Sequence, residues 1–301
     1  MTGFSFRLVR ASLAALLFAL IPAIASAQEA GHAVPGQIGL QPSVTPIMDS
    51  IIAFHDNLLM WIITAIVLVV LALLIVVIVR FNQRANPVPS KVTHNTLVEV
   101  VWTVVPVLLL FVIAIPSFGV LADQQTIPDG ERRYLGSQIF GGDLEVPAPE
   151  LTIKVTGYQW YWGYEYMDQD VDFVSVMLNE EQRAEQKPDQ PRLLAVDNEL
   201  IVPVNTTVRL LVTAADVLHA FAVPSFGIKT DAVTSRNNET WFNARETGIY
   251  YGQCSELCGK DHAFMPIAVR VVEQEQFDAW LAAAQEGSLA DANSTLLASI
   301  E

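Results

Sequence analysis

Twelve residues near the C-terminal end contain an unusual concentration of soft metal ligands. Cys254 and Cys258 stand four residues apart, and His262 and Met265 follow on the same short segment. Thiolate, imidazole and thioether groups suit copper, and a mononuclear blue-copper site uses one cysteine, two histidines and a weak methionine. His219 precedes a strand-like segment and could supply the second imidazole. The pattern predicts a copper site.

A mononuclear blue-copper site has one cysteine ligand, so this loop contains one cysteine more than such a site needs. Two thiolates on one loop can each bridge two copper ions, which leaves one histidine for each ion and the methionine as a weak ligand. The other ion would need a backbone carbonyl, for which Glu256 is placed between the cysteines. Because two ions would share one electron, the geometry would change little on reduction. A binuclear centre for fast electron transfer is therefore predicted.

Other interpretations of the cysteine pair remain open. The two thiols of an exported chain could form one disulfide, which would leave His262 and Met265 unexplained. Zinc could bind two cysteines and two histidines, although the methionine and the β-rich context favour copper. A membrane-anchored copper-delivery or thiol-redox assembly factor also carries two such cysteines and a distant histidine. Two spans, the His-x-x-Met spacing and an aromatic run at residues 158–166 argue against that class.

The N-terminal residues 1–27 have the features of a removable secretory signal. Arg7 and Arg10 precede an apolar stretch that ends in a small-residue cleavage pattern at residues 25–27. The alternative is a first transmembrane helix, but the stretch is short for a span and contains Pro22. Cleavage would leave an exported segment at residues 28–54.

A transmembrane hairpin is expected at residues 55–122. Uncharged stretches at 58–79 and 100–122 are each long enough to cross a bilayer, and we place the second span at about 100–121. The connecting loop, 80–98, carries three basic residues and no acid, so it should lie in the cytoplasm. The chain after residue 122 is then on the outer side of the membrane.

The outer part is predicted to be a β sandwich or small barrel. Its candidate strands are 151–155, 192–196, 207–212, 239–242, 248–252 and 266–272. Residues 168–190 are interpreted as an insertion between strands, 274–285 as a helix, and the remainder as a loose tail.

The outer part is strongly acidic. From residue 119 to 301 there are 28 acidic and 12 basic residues. Such a surface repels nucleic acid and attracts a basic protein partner. Solubility alone is the alternative explanation.

Four segments together resemble subunit II of the haem-copper cytochrome c oxidases, over about residues 40–285. They are CSELCGKDHAFMP, YQWYWGYEY, DVLHAFAVPSFGIKTDAV and HNTLVEVVWTVVP. The resemblance implies a membrane protein with a two-helix transmembrane hairpin and an all-β cupredoxin domain, a Greek-key barrel, at 123–273. A C-terminal helix and tail would occupy 274–301. The location implied is the bacterial inner membrane, with the β domain in the periplasm.

The resemblance also implies a binuclear copper centre, CuA. Its ligands match six residues here: His219, Cys254, Glu256 through its carbonyl, Cys258, His262 and Met265. The Glu256 carboxylate would reach a magnesium ion at the contact with the catalytic subunit I.

Further roles follow from the same resemblance. Trp160 matches the residue through which electrons enter, and Glu99 matches the acid at the mouth of a proton channel. A solvated acid at headgroup level is the alternative for Glu99. The acids that dock cytochrome c in relatives match three residues: Glu165, Asp197 and Asp216. At a further docking position this chain has Val174.

Oxygen reduction is not expected within this chain. Haem ligation inside a membrane needs intramembrane histidines, and all histidines lie outside the two uncharged stretches, at positions 32, 55, 94, 219 and 262. The implied function is to accept electrons from cytochrome c and pass them to haem in subunit I, for reduction of oxygen to water coupled to proton pumping. A quinol-oxidase subunit of the same fold would lack the copper ligands, which are complete here.

Overall fold

The computed structural model describes residues 31–131 and 145–300, so the predicted signal peptide lies outside the described residues. Helix α1, Pro46–Phe54, continues through a π-helical turn, His55–Leu59, into α2, Met60–Arg80. Helix α3 spans Thr96–Gln125. The continuous helix Pro46–Arg80 and helix α3 are both long and apolar enough to cross a membrane. The two-helix hairpin is confirmed.

Helix α2 is almost entirely apolar, and none of its side chains is buried within the chain. Lipid or neighbouring subunits must therefore cover it. In α3 the Asn95 side chain caps the start by accepting from the Val98 N–H at 3.2 Å. Pro106 and Pro116 lie inside α3, where membrane proteins satisfy the freed backbone groups through neighbouring helices.

The outer domain contains ten strands among the described residues. They are β1 (Leu151–Tyr158), β2 (Tyr161–Tyr166), β3 (Val171–Ser175), β4 (Leu200–Pro203), β5 (Thr207–Ala214), β6 (His219–Val223), β7 (Ile228–Thr234), β8 (Asn238–Asn243), β9 (Gly248–Cys254) and β10 (Pro266–Val272).

The strands follow the order β3-β2-β1-β5-β7-β6-β9-β10-β4, with β8 paired to β5. A short parallel pairing of β5 with β7, at Thr213 with Val233 and Ala214 with Thr234, joins the two halves of this sheet. The sheet closes almost completely around a core that contains Trp162, Phe221 and Leu210. Strand β1 alternates buried and half-buried residues, as expected for a strand with one face in that core. The predicted cupredoxin-type barrel is confirmed.

Two predictions within this domain were wrong. Residues 192–196 form turns, with Leu193 at a φ of 68°, and only Val196 makes an isolated bridge, to Met177. The hydrophobic residues there resemble a strand, but the chain turns after Pro191, whose carbonyl accepts from the Leu194 N–H. The predicted insertion at 168–190 contains β3, which pairs with β2, and helix α4, Glu180–Gln186.

The C-terminal tail is also more ordered than predicted. Helix α5, Gln274–Glu286, is followed by α6, Leu289–Ile300. Helix α6 buries Ala292 and Leu296, and the Trp280 Nε1 of α5 donates to Asn293 Oδ1 at 3.0 Å. The loose-tail prediction was wrong because this short amphipathic helix is stabilised by packing on α5.

Both membrane helices are attached directly to the barrel. The Thr45 hydroxyl, at the start of α1, donates to the Phe226 carbonyl at 2.7 Å. At the end of α3, the Asp123 carbonyl accepts from Trp241 Nε1 at 2.9 Å. These contacts identify the end of the barrel that faces the membrane. The cysteine loop connects β9 to β10.

Candidate metal centre

His219 is the first residue of β6, and its side chain is fully buried. Its ring lies against Gly157 of β1, where an added Cβ would come within 2.9 Å of the imidazole. Glycine is therefore required at this position for the ring to fit. His219 Nδ1 lies 3.8 Å from Cys254 Sγ.

The two cysteines are buried, free thiols, with their Sγ atoms 3.9 Å apart. A disulfide would need about 2.05 Å between these sulfurs, so the bond considered above is not formed here. Cys254 ends β9, which places its sulfur at the barrel rim, and its Sγ lies 3.3 Å from the Glu256 carbonyl oxygen. The predicted carbonyl donor therefore lies beside the first thiol.

The remaining ligands approach the second thiol. His262 Nδ1 lies 3.6 Å from Cys258 Sγ, and Met265 Sδ lies 3.5 Å from the same sulfur. A short 3₁₀ turn, His262–Phe264, brings His262 to this side, and Met265 is buried directly before β10. The six predicted copper ligands thus form one cluster, within which the donor atoms of His219, Cys254 and Cys258 all lie within 4.8 Å of one another.

The two thiols of this cluster differ in how readily they ionise. Burial opposes ionisation of Cys254, but hydrogen bonds with His219 and the Glu256 backbone outweigh it and lower its pKa to about 6. Burial and the adjacent Cys254 charge raise the pKa of Cys258 to about 12. Only one thiolate is stable without further positive charge. A metal ion would supply that charge and displace the second proton, so the residues present fit a copper centre.

Trp160 lies at the turn between β1 and β2, against the metal loop. The peptide bond before it is cis, and the Gln159 side chain donates to the Cys258 carbonyl at 2.7 Å. A Cβ on Gly259 would come within 2.9 Å of the indole, and Lys260 Nζ lies 5.4 Å from the ring centroid. The sequence placed Trp160 in an aromatic run, and the structure brings its ring onto the cysteine loop.

The other rings of the aromatic run form packed strand positions. Trp162, Tyr164 and Tyr166 of β2 are buried in the core. Trp162 also reaches the metal centre, because its Nε1 donates to the Met265 carbonyl at 3.2 Å and its ring lies edge-on to His219. The sequence analysis did not identify Trp162 as a neighbour of the metal centre. Strand alternation in the run separates buried from exposed rings, but it does not show what the buried rings contact.

The three predicted docking acids occupy different local settings. Glu165 on β2 is exposed and pairs with Lys154 at 2.9 Å. The Asp197 carboxylate accepts from the backbone N–H of Val176 at 2.7 Å. Asp216 contacts His219 Nε2 at 2.9 Å and accepts from the Gln159 N–H at 2.7 Å.

The remaining positions lie away from the cysteine loop. Val174 is exposed on β3. Glu99 lies in the first turn of α3, where its carboxylate accepts from the Asn95 N–H at 3.2 Å. The structure therefore gives Glu99 a local contact at the start of this helix.

A barrel whose rim holds two thiols, two imidazoles and a thioether, on a membrane hairpin, defines a membrane-anchored cupredoxin-type protein. The family model described as cytochrome c oxidase subunit II, periplasmic domain, matches residues 151–272, and that described as the transmembrane domain matches residues 33–120.

Curated relatives match along most of this chain. A protein of Rickettsia bellii described as "Probable cytochrome c oxidase subunit 2" is 49% identical over 270 residues, covering 89% of this chain and 92% of the relative. Cytochrome c oxidase subunit 2 of Cereibacter sphaeroides is 41% identical over 273 residues, covering 86% of this chain and 84% of that one. The crystal structure of the periplasmic domain of subunit II of Bradyrhizobium japonicum cytochrome oxidase is 57% identical, with a TM-score of 0.43, covering 47% of this chain and 97% of that chain.

The chain belongs to the cytochrome c oxidase subunit II family. It is a component of an oxidoreductase complex of the membrane, with its β domain on the outer side. Its His219, Cys254 and Cys258 cluster could hold copper.

Proposed function

We propose that this chain accepts electrons from cytochrome c at a binuclear copper centre and passes them to haem in the catalytic subunit I. There oxygen is reduced to water, and the reaction is coupled to proton pumping. The observation that carries the proposal is the convergence of two buried thiols with two imidazoles, a thioether and a carbonyl at one barrel rim. Spreading one electron over two copper ions would keep the reorganisation on reduction small.

Both sides of the cysteine loop would supply ligands to the two copper ions. Cys254 and Cys258 would bridge the ions, and a different histidine lies beside each sulfur, which would leave one imidazole for each ion. Met265 contacts Cys258 and the Glu256 carbonyl contacts Cys254, so the thioether and the carbonyl would each be available as a weak ligand of the centre. The exposed Glu256 carboxylate is left free to bind magnesium at the contact with subunit I.

Electron entry is assigned to the surface around Trp160. Exposed apolar side chains border the metal loop, among them Leu257, which is 78% exposed, and Phe264, which is 44% exposed. An apolar contact surrounded by acids suits a basic cytochrome c, which long-range charge would steer to this face. Asp197→Asn and Asp216→Asn should each raise the KM for cytochrome c and flatten its dependence on ionic strength.

The membrane arrangement follows the predicted domains. With a signal peptide at 1–27 and a cytoplasmic loop at 80–98, the hairpin would lie in the bacterial inner membrane, with residues 123–273 in the periplasm and 274–301 completing that domain. Glu99, at the cytoplasmic start of α3, would stand at the mouth of a proton channel into subunit I. Further oxidase subunits and membrane lipid would cover the exposed apolar faces of the hairpin.

Stopped-flow reduction of the purified oxidase complex by cytochrome c tests the proposal. Trp160→Phe keeps an apolar ring, so an entry role predicts an intact copper spectrum and unchanged donor affinity, but copper reduction slowed by orders of magnitude. Each tenfold loss corresponds to about 1.4 kcal/mol of barrier. Trp280→Phe is the matched control, because Trp280 of α5 packs on Tyr166 of β2 and this change should leave the rate unchanged. Normal reduction of the Trp160 variant would return this residue to a packing role.

A further inference from the structure

The Asp216 carboxylate lies between the metal cluster and the turn that carries Trp160. It belongs to the loop between β5 and β6, and its side chain is 34% exposed. One oxygen, Oδ1, contacts His219 Nε2 at 2.9 Å, and the other, Oδ2, accepts from the Gln159 N–H at 2.7 Å. Oδ1 also accepts from the Val217 N–H at 2.7 Å, which fixes the carboxylate in its own loop.

The contact to His219 decides which ring nitrogen can bind a metal. The Nδ1 atom faces Cys254 Sγ, and the Nε2 atom on the other side faces Asp216. When Nε2 donates its proton to a carboxylate, Nδ1 keeps its lone pair for the metal and the ring is held in orientation. The ring also packs directly on the Gly157 backbone, where a Cβ would come within 2.9 Å of it.

The second histidine of the cluster is held differently. Its Nδ1 faces Cys258 Sγ, but within residues 31–131 and 145–300 the Nε2 atom of His262 makes no hydrogen bond. The two imidazoles are therefore not equivalent. The His219 side of the centre is fixed by this chain alone.

The contact to Gln159 extends the same carboxylate to the electron-entry side. The Gln159 backbone N–H is bound by Asp216, and its side chain is bound by the Cys258 carbonyl. Trp160 follows directly, so its turn is held against the metal loop at two points. One carboxylate thus joins the imidazole of His219 to the turn of Trp160.

We propose that Asp216 is a positioning residue, which sets the metal-binding face of His219 and holds the Trp160 turn on the metal loop. This role rests on the proposed copper centre and is separate from any contact with cytochrome c. A docking acid would affect only the encounter with the donor. A positioning acid alters the copper centre itself, with no donor present.

The test uses the full-length chain, purified in detergent and loaded with copper, without cytochrome c. Asp216→Ala should release copper to a competing chelator about 10–100-fold more readily, with shifted copper hyperfine splittings and absorption bands. Asp216→Asn should show a smaller change of the same kind. Asparagine offers one acceptor oxygen and one donor amide, so it cannot accept from both His219 and Gln159.

Asp172→Asn is the matched control, because Asp172 is an exposed acid on β3 and its change removes the same charge. It should leave chelator competition and spectrum unchanged. Wild-type copper affinity and splittings in both Asp216 variants would overturn the positioning role, and if Asp216→Ala does not fold, the near-isosteric Asp216→Asn decides alone. A wild-type chain without a mixed-valence copper signal would instead refute the proposed function, so the two failures are distinguishable.

Discussion

Two buried polar clusters of the outer domain differ in how their charges are balanced. In the first, defined here as the ion cluster, Glu199 pairs with Lys187 at 2.8 Å and with Arg270 of β10. Both Glu199 and Arg270 are buried, and the carboxylate also accepts from Gln190 at 2.6 Å. In the second, the metal cluster, thiols and imidazoles converge with no Lys or Arg among their contacts in the described residues.

The comparison separates a structural cluster from a binding one. The ion cluster contains its own counter-charges, so it is complete without a ligand. In the metal cluster the converging side chains are thiols, imidazoles and a thioether, and burial together with the Cys254 charge raises the pKa of the second thiol. Burial and perturbed pKa values occur in both, so they do not by themselves indicate function. The difference lies in the groups that converge: acid with base in the ion cluster, and ligands that suit copper in the metal cluster.

The largest effect is expected from removing a bridging thiol. Cys254→Ser or Cys258→Ser leaves one soft bridging ligand, and a hydroxyl does not replace a thiolate for copper. Either change should abolish the mixed-valence signal of the copper-loaded chain, measured by electron paramagnetic resonance. Survival of that signal in either variant would mean that the cluster does not bridge two ions as proposed.

A charge deletion in the ion cluster should reduce stability without affecting copper. Glu199→Gln leaves Arg270 buried without its counter-charge, which should lower the free energy of unfolding by about 3–5 kcal/mol. Thermal or urea unfolding of the full chain in detergent measures this loss. The double variant Glu199→Met with Arg270→Met is the control, since an apolar pair should recover most of the stability. An altered copper spectrum in Glu199→Gln would break the distinction between the clusters.

Acid should destabilise the domain through the same carboxylate. Burial raises the pKa of Glu199, but the charges of Lys187 and Arg270 outweigh it and hold the pKa at about 2, below its ordinary 4.5. A lowered folded-state pKa stabilises the fold fully above the unfolded value and loses that stabilisation as the pH falls through the folded one. Between about pH 5 and pH 2 the wild type should lose about 3 kcal/mol that Glu199→Gln does not lose. Parallel acid unfolding curves for the two proteins would contradict this.

Met265→Leu should have the smallest effect. Leucine conserves the volume of this buried side chain, so stability should change by less than about 1.5 kcal/mol. Since the thioether is a weak ligand, both copper ions should remain, with an altered reduction potential and copper reduction slowed by up to about tenfold. Potentiometry with stopped-flow reduction measures both quantities. Loss of one copper would show that Met265 is a principal ligand.

Local patterns were sufficient to predict the spans and most of the metal cluster. The apolar stretches at 58–79 and 100–122 lie in the two helices that are long enough to cross a membrane. The candidate ligands of the twelve-residue loop are close in sequence, so their spacing alone brought them together. His219 was predicted as a ligand because the cysteine loop supplied the other soft ligands of a copper site.

Long-range contacts explain what the sequence did not reveal. The environment of Asp216 depends on β1 and β6 meeting, which no spacing of residues expresses. The same holds for α6, a short helix that gains its stability by burying Leu296 against α5. Residues 192–196 had a strand-like composition, but the turn after Pro191 overrides it.

Copper analysis combined with electron paramagnetic resonance on the full-length chain, purified in detergent, tests the central claim most directly. The two bridging thiols and the two histidines predict two copper ions per chain, with one unpaired electron shared equally between them. The hyperfine pattern should then reflect two equivalent copper nuclei. One copper per chain, with the four-line pattern of a single nucleus, would contradict the binuclear centre.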